Sequence, residues 1–280
     1  MTTGHPAEIP PASAANRSSL SSAASQPVVT DGAPAPPPQE PQPIPPDGGP
    51  LGRPLLERDE LDSTSDLLKR LANEGAPEGT TVVARSQLRG HGQQSRRWYS
   101  PPDLGLYLSV LLRPPWAAGD SGSLALLAGL ALATACGDVG VKAVRLKWPN
   151  DVLADGRKIG GILVEPTLRG ARLEYAVLGF GVNVLHTAED FPPELRATAT
   201  SCRLAGVTTD CAAVRAAVLR ALNRWYDTAK TSSLDQLYSA WAERAREVPT
   251  ADRAASQGWT ATLRRGRNTT YGTHGKHPAD

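Results

Sequence analysis

A glycine-containing turn between two apolar segments is the feature that most constrains how this chain folds. Residues 152–165 read VLADGRKIGGILVE. Asp155 and Gly156 suit the central positions of a type I′ turn, the turn that joins two strands in a tight antiparallel hairpin. The segment therefore predicts a β-hairpin, and its turn aims Lys158 from a short, stiff strand.

The glycine pair after Lys158 indicates a close approach to the backbone. Gly160 and Gly161 stand inside the second strand, where glycine costs stability unless a neighbour needs the space. A lysine beside such a pair is one form of anion site. A solvent-facing lysine beside a β-bulge is the alternative, and the hairpin alone favours neither.

Strand and helix patterns alternate through the middle of the chain. Strands are predicted at GTTVVAR (79–85), GLYLSVLL (105–112, with Leu106, Leu108 and Val110 on one face), VRLKW (144–148) and EYAVLGFGVNV (174–184). Helices are predicted at LDSTSDLLKRLANEG (61–75), SLALLAGLALATACGDV (123–139), 211–227 and 234–246. Such an order predicts an α+β fold, a mixed sheet with flanking helices.

Both ends of the chain differ in composition from the middle. Residues 1–50 contain about half of the 25 prolines, no aromatic residue and no lysine, which predicts a disordered, polyproline-like tail. Residues 247–280 hold too few apolar residues for a core. We therefore expect a tail at 1–50, one globular domain at 51–246 and an atypical C-terminal segment at 247–280.

Charge and cysteine content narrow the classes of function. The net charge of +2 gives no electrostatic case for nucleic acid. The cysteines, Cys136, Cys202 and Cys211, are sparse and far apart, which argues against a disulfide framework and against structural zinc. No apolar stretch is expected to reach the roughly 20 residues that a membrane span needs, and no signal-peptide pattern is evident. We expect a cytoplasmic protein with neither nucleic acid nor membrane as a partner.

A second glycine-containing segment follows the first predicted strand. Residues 86–98 read SQLRGHGQQSRRW. A glycine-rich loop with arginines can hold phosphate through backbone N–H groups and guanidinium groups. Basic loops are also commonly just solvated, so this loop alone is a weak signal.

Six segments taken in order resemble the catalytic domain of biotin–protein ligases. They are LDSTSD (61–66), the QxxGxGxxxRxW pattern (87–98), GLYLSV (105–110), KWPNDV (147–152), RKIGGILVE (157–165) and GFGVNV (179–184). The resemblance covers about residues 51–246. It implies a monofunctional biotin–[acetyl-CoA-carboxylase] ligase, because the proline-rich tail is not a DNA-binding helix-turn-helix domain.

The resemblance also implies a reaction and its partners. Such ligases join the carboxylate of biotin to the α-phosphate of ATP, and then pass biotin from biotinyl-AMP to a lysine of a carrier domain. ATP and Mg²⁺ are the implied cofactors, with biotin as substrate and a biotin carboxyl carrier domain as partner. The metal would arrive with ATP, since the sequence holds no direct metal motif. A monomer or a homodimer is expected.

Residue roles follow from the same resemblance. Lys158 and Asp151 are the implied catalytic residues: Lys158 at the biotin carboxylate and α-phosphate, Asp151 to orient the incoming lysine or help place Mg²⁺. The implied biotin-binding residues are Ser63, Thr64, Ser65, Gln87, His91, Gly92, Gln93, Lys158 and Gly161. The implied ATP- or adenylate-binding residues are Gly90, Arg96, Trp98, Lys147, Asn150 and Asn183.

Several of these residues also have a simpler, purely structural interpretation. Ser63 could be only a helix N-cap, and Asn183 could simply end a strand. Trp148 and Pro149 are expected to be structural. His186, His274 and His277 show no partner pattern and are expected at the surface.

The chain departs from the family pattern in its glycine-rich loop and in its last residues. The family reads Gly-Arg-Gly-Arg-x-Gly-Arg-x-Trp, where this chain has His91 and Gln93 for arginines and Ser95 for a glycine. Ser65 stands for an asparagine. Fewer charge-assisted bonds to phosphate predict a loop that leaks the adenylate or turns over slowly. Residues 247–280 lack the strand alternation of the family's SH3-like domain, which we expect to be truncated or absent.

Two rival functions remain open from the sequence. A lipoate–protein ligase would share the architecture, but its typical Arg-Arg, Gly-Gly-Gly and His-Asp pattern is not found. An inactive biotin- or adenylate-binding protein would fit the altered loop and the unusual C-terminus.

Overall fold

The structure is a computed structural model that describes residues 49–231 and 234–246. Its strands are β1 (Leu55–Leu61), β2 (Thr81–Gln87), β3 (Gly105–Leu112), β4 (Val144–Lys147), β5 (Asp151–Ala154), β6 (Arg157–Arg169) and β7 (Arg172–Asn183). Its helices are α1 (Thr64–Asn73), α2 (Ser123–Asp138), α3 (Cys211–Thr231) and α4 (Leu234–Arg246), with short 3-10 turns at Gln93–Ser95 and Ala118–Asp120.

The seven strands form one mixed sheet in the order β1-β2-β3-β7-β6-β5-β4. Strands β1 and β2 pair in parallel, and the other neighbours are antiparallel. The predicted fold class, a mixed sheet with flanking helices, is confirmed. The predicted tail and the expected loss of an SH3-like domain fall on residues 1–48 and 247–280, outside the described residues.

Strand β3 lies inside the sheet, between β2 and β7, and both of its faces are apolar. Leu106, Leu108 and Val110 share one face, as predicted, and pack in the main core with α2 and α3. Leu111 points to the opposite face, where it packs with Leu68 of α1 in a second cluster. Since both faces of this strand are covered, the sheet separates two apolar layers.

Helix α2 is the central core helix. Twelve of its residues are buried, from Ser123 to Cys136. The longer segment Ala118–Asp138, at 21 residues, is apolar enough to cross a membrane by length and composition. The expectation that no segment reaches this length is therefore wrong. In this fold most of that segment is buried, as in the core helix of a folded domain.

The predicted hairpin is present with its predicted turn. Asp155 and Gly156 have φ values of 47° and 76°, the left-handed pair that a type I′ turn requires. Strands β5 and β6 flank it. The strand that sequence reasoning missed is β1, LLERDEL, whose charged residues mask its strand character; it lies at the edge of the sheet, where charges are common.

Candidate active site

A cleft of about 480 Å³ lies over β6 and β7, within the usual size of a small-molecule site. The start of α1, the glycine-rich loop, the turn between β4 and β5, and residues 191–199 form its walls. The sequence-predicted site residues that line it are Ser63, Thr64, Ser65, Gln87, His91, Gly92, Gln93, Arg96, Trp98, Lys147, Asn150, Asp151, Lys158, Gly161 and Asn183. The structure therefore brings segments far apart in sequence into one site, although their roles stay predictions.

Gly90 is the exception among the predicted residues. It is buried and is not among the residues that line the cleft, and its nucleotide-binding role stays a prediction. A Cβ there would lie 2.7 Å from Ser100 Oγ and 2.9 Å from Gln87 Nε2. Glycine at this position therefore lets the Gln87 amide pack closely behind the loop.

Glycines form the floor of the cleft. Gly161 pairs directly with Gly181 across β6 and β7, and Leu163 pairs with Gly179. The indole of Trp98 rests on this floor: a Cβ on Gly181 would lie 2.4 Å from Trp98 Cε2, and one on Gly161 would lie 2.9 Å from Cζ3. The predicted close approach to the Gly160–Gly161 backbone is therefore made on the cleft side by Trp98.

The other glycine of the pair serves the opposite face. A Cβ on Gly160 would lie 3.0 Å from Leu132 Cδ2 of α2. The two adjacent glycines thus receive a core helix on one side and the site tryptophan on the other.

Positive charge lies at one end of the floor. Lys158 Nζ lies 2.6 Å from Asp151 Oδ1, with side chains 33% and 25% exposed. The same ammonium lies 5.2 Å from the centroid of the Trp98 ring, in range for a cation–π interaction. Lys147 lies opposite Asp151 in the backbone register of β4 and β5, and it is exposed. The cleft therefore holds one fixed lysine, with a second lysine on the adjoining turn.

A segment that sequence reasoning missed holds the backbone of Lys158. Lys158 N donates to Thr198 O at 2.7 Å, and Thr200 N donates to Lys158 O at 2.9 Å. Asn183 Nδ2 donates to Thr200 O at 2.9 Å and more weakly to Lys158 O at 3.4 Å. Asn183 is thus more than the end of a strand, because its amide ties β7 to the segment beside Lys158.

Polar groups gather at the start of α1, beside Gly179. Gln87 Oε1 accepts from Thr64 N at 2.9 Å and from Thr64 Oγ1 at 3.2 Å. Ser109 Oγ lies 2.8 Å from Thr64 Oγ1 and 3.0 Å from Ser65 Oγ. Ser63 caps α1, accepting from Asp66 N at 3.4 Å, and also lines the cleft, so the capping and binding interpretations are compatible.

The glycine-rich loop folds back on itself above the floor. Gly92 N donates to Arg96 O at 2.7 Å, and Trp98 N donates to Gly90 O at 2.9 Å. Gln94 and Ser95 both adopt positive φ, 54° and 61°, a region that costs a non-glycine residue about 1–2 kcal/mol. Ser95 is the position at which the resembled family pattern has glycine, so the loop is strained at that departure.

His91 is held to helix α1 by a hydrogen-bond contact with Asp66. Its Nε2 lies 2.6 Å from Asp66 Oδ2, and Lys69 Nζ lies 3.0 Å from Asp66 Oδ1. Burial tends to raise the pKa of Asp66, but hydrogen bonds from His91 and Lys69 outweigh it and hold the pKa below its ordinary value. At its position the loop is therefore anchored to α1 through the contact between His91 and Asp66.

The expectation that His186 lies at the surface is wrong. Its side chain is fully buried and stacks on Phe191, with ring centroids 4.7 Å apart and an interplanar angle of 10°. Burial lowers its pKa, although Asp190 and the Leu104 backbone act in the opposite direction. His186 supports the cleft from behind, since Phe191 lines the wall. His274 and His277 lie outside the described residues.

The fold and the cleft define a class of protein: an α+β domain that places a lysine at one end of a glycine-floored groove and hydroxyl and amide groups near Gly179. The sequence pattern of the biotin/lipoate A/B protein ligase family matches residues 57–183. This part of the chain is therefore similar to that family.

Individual proteins show the same similarity. The chain is 35% identical over 205 residues to the bifunctional ligase/repressor BirA of Bacillus subtilis (strain 168), covering 73% of this chain and 63% of that protein. It is 39% identical over 126 residues to the biotin–[acetyl-CoA-carboxylase] ligase of Paracoccus denitrificans, covering 44% of this chain and 51% of that protein. The matched part thus spans less than two thirds of either relative's length.

A solved structure shares the fold. It is the biotin protein ligase from Aquifex aeolicus in complex with biotin and ATP, with a TM-score of 0.57 and 29% identity. The match covers 69% of this chain and 78% of that chain.

Proposed function

We propose that this chain ligates biotin to a lysine of a biotin carboxyl carrier domain through biotinyl-5′-AMP. The names of its relatives support biotin ligation, and the structural neighbour was solved with biotin and ATP. The carrier domain is the proposed protein partner, in a cytoplasmic setting. We propose that neither nucleic acid nor a membrane is a partner. We also propose that the protein works as a monomer or a homodimer.

The observation that carries the proposal is the order of groups along the floor. Ser65 Oγ would lie 3.0 Å from a Cβ on Gly179, and Trp98 lies on Gly181, two residues along β7. Lys158 adjoins Gly161, the residue opposite Gly181. Residues two apart on a strand are separated by roughly 7 Å, so the hydroxyl group at Gly179 lies one such step from the Gly161–Gly181 pair, where the apolar Trp98 ring and the cationic Lys158 lie side by side.

Biotin has a matching order of chemical groups. Its ureido ring would face the hydroxyl and amide groups of Ser65, Thr64 and Gln87. Its apolar rings and chain would lie over Gly179 and against the Trp98 indole, which covers Gly181, and its carboxylate would reach Lys158. Glycine at position 181 lets the indole lie directly on the strand, and glycine at position 179 places no side chain between the strand and a ligand beside Ser65.

Lys158 would act by neutralising charge in the first step. A carboxylate oxygen attacks the α-phosphorus of ATP, the bond from that phosphorus to the β-phosphate bridging oxygen breaks, and pyrophosphate leaves. Carboxylate and phosphate repel each other, and an ammonium held between them in advance lowers the barrier. The Asp151 carboxylate, 2.6 Å from Nζ, fixes the ammonium before substrates arrive.

Asp151 would act again in the second step. The amine of the carrier lysine attacks the acyl carbon of biotinyl-AMP, an amide bond forms, and AMP leaves. The attacking amine must be oriented and must lose a proton, and Asp151 is the carboxylate among the described cleft-lining residues. No enzyme-bound covalent intermediate is required.

Mg²⁺ fits this site as a companion of ATP. Within residues 49–231 and 234–246, no group of three His, Cys, Asp or Glu side chains could hold a metal ion. Mg²⁺ often binds through one or two carboxylates together with substrate phosphates, and Asp151 could supply such a carboxylate. Bound there, the ion would neutralise phosphate charge.

A transfer assay tests the proposed function. The protein is mixed with biotin, Mg²⁺-ATP and an apo carrier domain, with avidin detection of the carrier and a parallel pyrophosphate readout. Labelled carrier supports ligation, and replacing biotin with lipoate tests the lipoate-ligase alternative. Pyrophosphate without labelled carrier would indicate that the adenylate escapes. If the folded protein binds biotin but gives neither signal, the remaining alternative is an inactive binding protein, which the altered loop favours.

A further inference from the structure

Ser109 is a buried hydroxyl behind the cleft, with no direct part in the proposed chemistry. It lies on β3, is 0% exposed and is absent from the cleft wall. Its Oγ reaches Thr64 Oγ1 at 2.8 Å and Ser65 Oγ at 3.0 Å, and both of these residues line the cleft. A buried hydroxyl is costly unless it is hydrogen-bonded, so both contacts are expected to be satisfied.

The direction of each hydrogen bond follows from counting hydrogens. A hydroxyl donates one hydrogen, whereas an amide oxygen only accepts. Gln87 Oε1 accepts from Thr64 N at 2.9 Å and from Thr64 Oγ1 at 3.2 Å. The bonds of the Gln87 amide nitrogen agree with this assignment of the amide oxygen. Gln87 Nε2 donates to Ser100 Oγ at 3.0 Å, and Ser100 Oγ in turn donates to Trp98 O at 3.1 Å.

The remaining two bonds are then determined. With the Thr64 hydroxyl hydrogen assigned to Gln87 Oε1, which can only accept, Ser109 is the donor in the 2.8 Å contact with Thr64. Ser109 then has no hydrogen left, so Ser65 must be the donor in the 3.0 Å contact with Ser109. The chain of donors runs from Ser65 through Ser109 and Thr64 to Gln87.

We infer that Ser109 is a positioning residue that makes Ser65 a hydrogen-bond acceptor toward the cleft. Because the Ser65 hydrogen points at Ser109, only lone pairs of Ser65 Oγ face the ligand. The site then favours an acid whose head carries an N–H donor at this point, such as a cyclic urea. A dithiolane head has no N–H and would leave the acceptor unpaired, which disfavours binding. This inference rests on the proposed function.

The substitution Ser109→Ala tests the inference through Ser65. Removing the Ser109 hydroxyl frees Ser65 to rotate, and biotin binding measured by calorimetry should weaken by roughly three- to tenfold, the value of about one hydrogen bond. The rate of pyrophosphate release at saturating biotin should stay near that of the wild type. Ser65→Ala should weaken binding too, and adding Ser109→Ala to it should bring little further loss, because the two residues act as one unit.

Ligand analogues give a second readout. The two mono-N-methyl ureido analogues of biotin each lack one N–H. The analogue that lacks the hydrogen facing Ser65 should bind the wild type poorly, and Ser109→Ala should narrow the gap between that analogue and biotin. A merely structural role of Ser109 would change the affinity for both ligands alike.

Two further variants serve as controls for the Ser109→Ala experiment. Ser123 is another buried serine, 1% exposed on α2, whose hydroxyl lies 3.3 Å from Tyr238 Oη and which does not line the cleft; Ser123→Ala should leave biotin affinity unchanged. Ser109→Cys keeps the size with a weak donor and should fall between wild type and Ser109→Ala, which covers failure of the alanine variant to fold.

The outcomes separate the inference from the proposed function. If the wild type binds biotin and the folded Ser109→Ala and Ser109→Cys variants bind it with the same affinity, the inference is overturned but the proposed function is not. Fully additive losses in the Ser65 and Ser109 double variant also overturn it alone. A folded wild type that binds no biotin overturns both.

Discussion

Lys158 and Asp151 face each other across neighbouring strands, with Nζ and Oδ1 2.6 Å apart. A register shift brings them together: Val152 pairs with Gly160, but Leu153 pairs with Lys158, leaving Ile159 as an extra residue in β6. Ile159 is fully buried in the core, so the bulge turns Lys158 to the cleft face shared with Gly161. Bulges are often found beside active sites, where they redirect a side chain.

Replacing this lysine should remove most of the adenylating activity. Lys158→Ala should lower the rate of biotin-dependent pyrophosphate release by about 10²–10³-fold, the usual loss when one preorganised donor to a developing charge is removed. Lys142→Ala, at an exposed position outside the cleft, is the control. Equal rates for the two variants would contradict the role proposed for Lys158.

Sequence patterns predicted the hairpin, its turn and most of the cleft because these depend on local residue types. The turn depends only on the backbone conformations that Asp155 and Gly156 themselves favour. Lys158 and Gly161 follow in the strand that leaves this turn. The bulge at Ile159 could not be predicted, since it exists only in relation to β5. The burial of His186 was missed for the same reason: its partner Phe191 belongs to a segment without a strand or helix pattern.

Ser109 shows a further limit of sequence reasoning. A serine within the apolar segment GLYLSVLL signals a buried hydroxyl, but its partners lie in α1, 44 and 45 residues away. Only the packing of α1 on β3 brings those hydroxyls together. A buried polar residue in a strand can thus mark a polar cluster without identifying its members.

Relieving the strain at Ser95 should tighten the loop. Ser95 has a φ of 61°, which glycine adopts at little cost, so Ser95→Gly should slow release of labelled biotinyl-AMP by roughly fivefold for about 1 kcal/mol of relief. Ser121→Gly is the control, because its φ of −57° suits serine. A faster release from Ser95→Gly would show that added flexibility outweighs relieved strain.

Restoring a charge in the same loop should also retain the adenylate. Gln93 lines the cleft without a charge, and a charge-assisted bond to phosphate is roughly twice as strong as a neutral one. Gln93→Arg should therefore lower adenylate release in a rapid-filtration assay, and the effect should shrink at high salt. Gln93→Met, similar in length but uncharged, should not reproduce it. Unchanged release would exclude loss of this charge as a cause of leakage.

The buried His186 should make stability fall in mild acid. Burial lowers its pKa in the folded state, while the unfolded chain binds this proton near pH 6.5. Below about that pH the unfolded state therefore binds more protons, and the free energy of unfolding decreases as pH falls. The effect is opposed by Asp190 and the Leu104 backbone, and Tyr99, 6.4 Å away between ring centroids, is the other aromatic neighbour.

His186→Phe isolates this contribution, because phenylalanine can still stack on Phe191. The melting temperature of the wild type should drop more between about pH 7.5 and about pH 5.5 than that of the variant. Groups common to both proteins cancel in the comparison. Identical drops would mean that His186 is not the group that titrates.

A tryptophan of α4 should position the nucleotide side of the cleft. Trp241 is 2% exposed, and its ring meets that of Trp148 edge-on, with centroids 5.6 Å apart at 90°. Trp148 lies beside Lys147 in the cleft wall. Trp241→Ala would leave a cavity behind this turn and should lower the free energy of unfolding by about 3–5 kcal/mol.

The effect on ligands should be confined to one substrate. Because Trp241 supports the turn that carries Lys147 and Asn150, Trp241→Ala should raise the KM for ATP several-fold with little change in the KM for biotin, at a temperature where the variant is folded. Trp241→Phe keeps an aromatic edge and should recover most of the ATP affinity. Trp225→Ala on α3, which removes the 3.0 Å bond from Nε1 to Thr134 Oγ1 away from the cleft, should destabilise the fold without changing either KM. If Trp225→Ala and Trp241→Ala raise the KM for ATP equally, the contact between Trp241 and Trp148 serves stability alone.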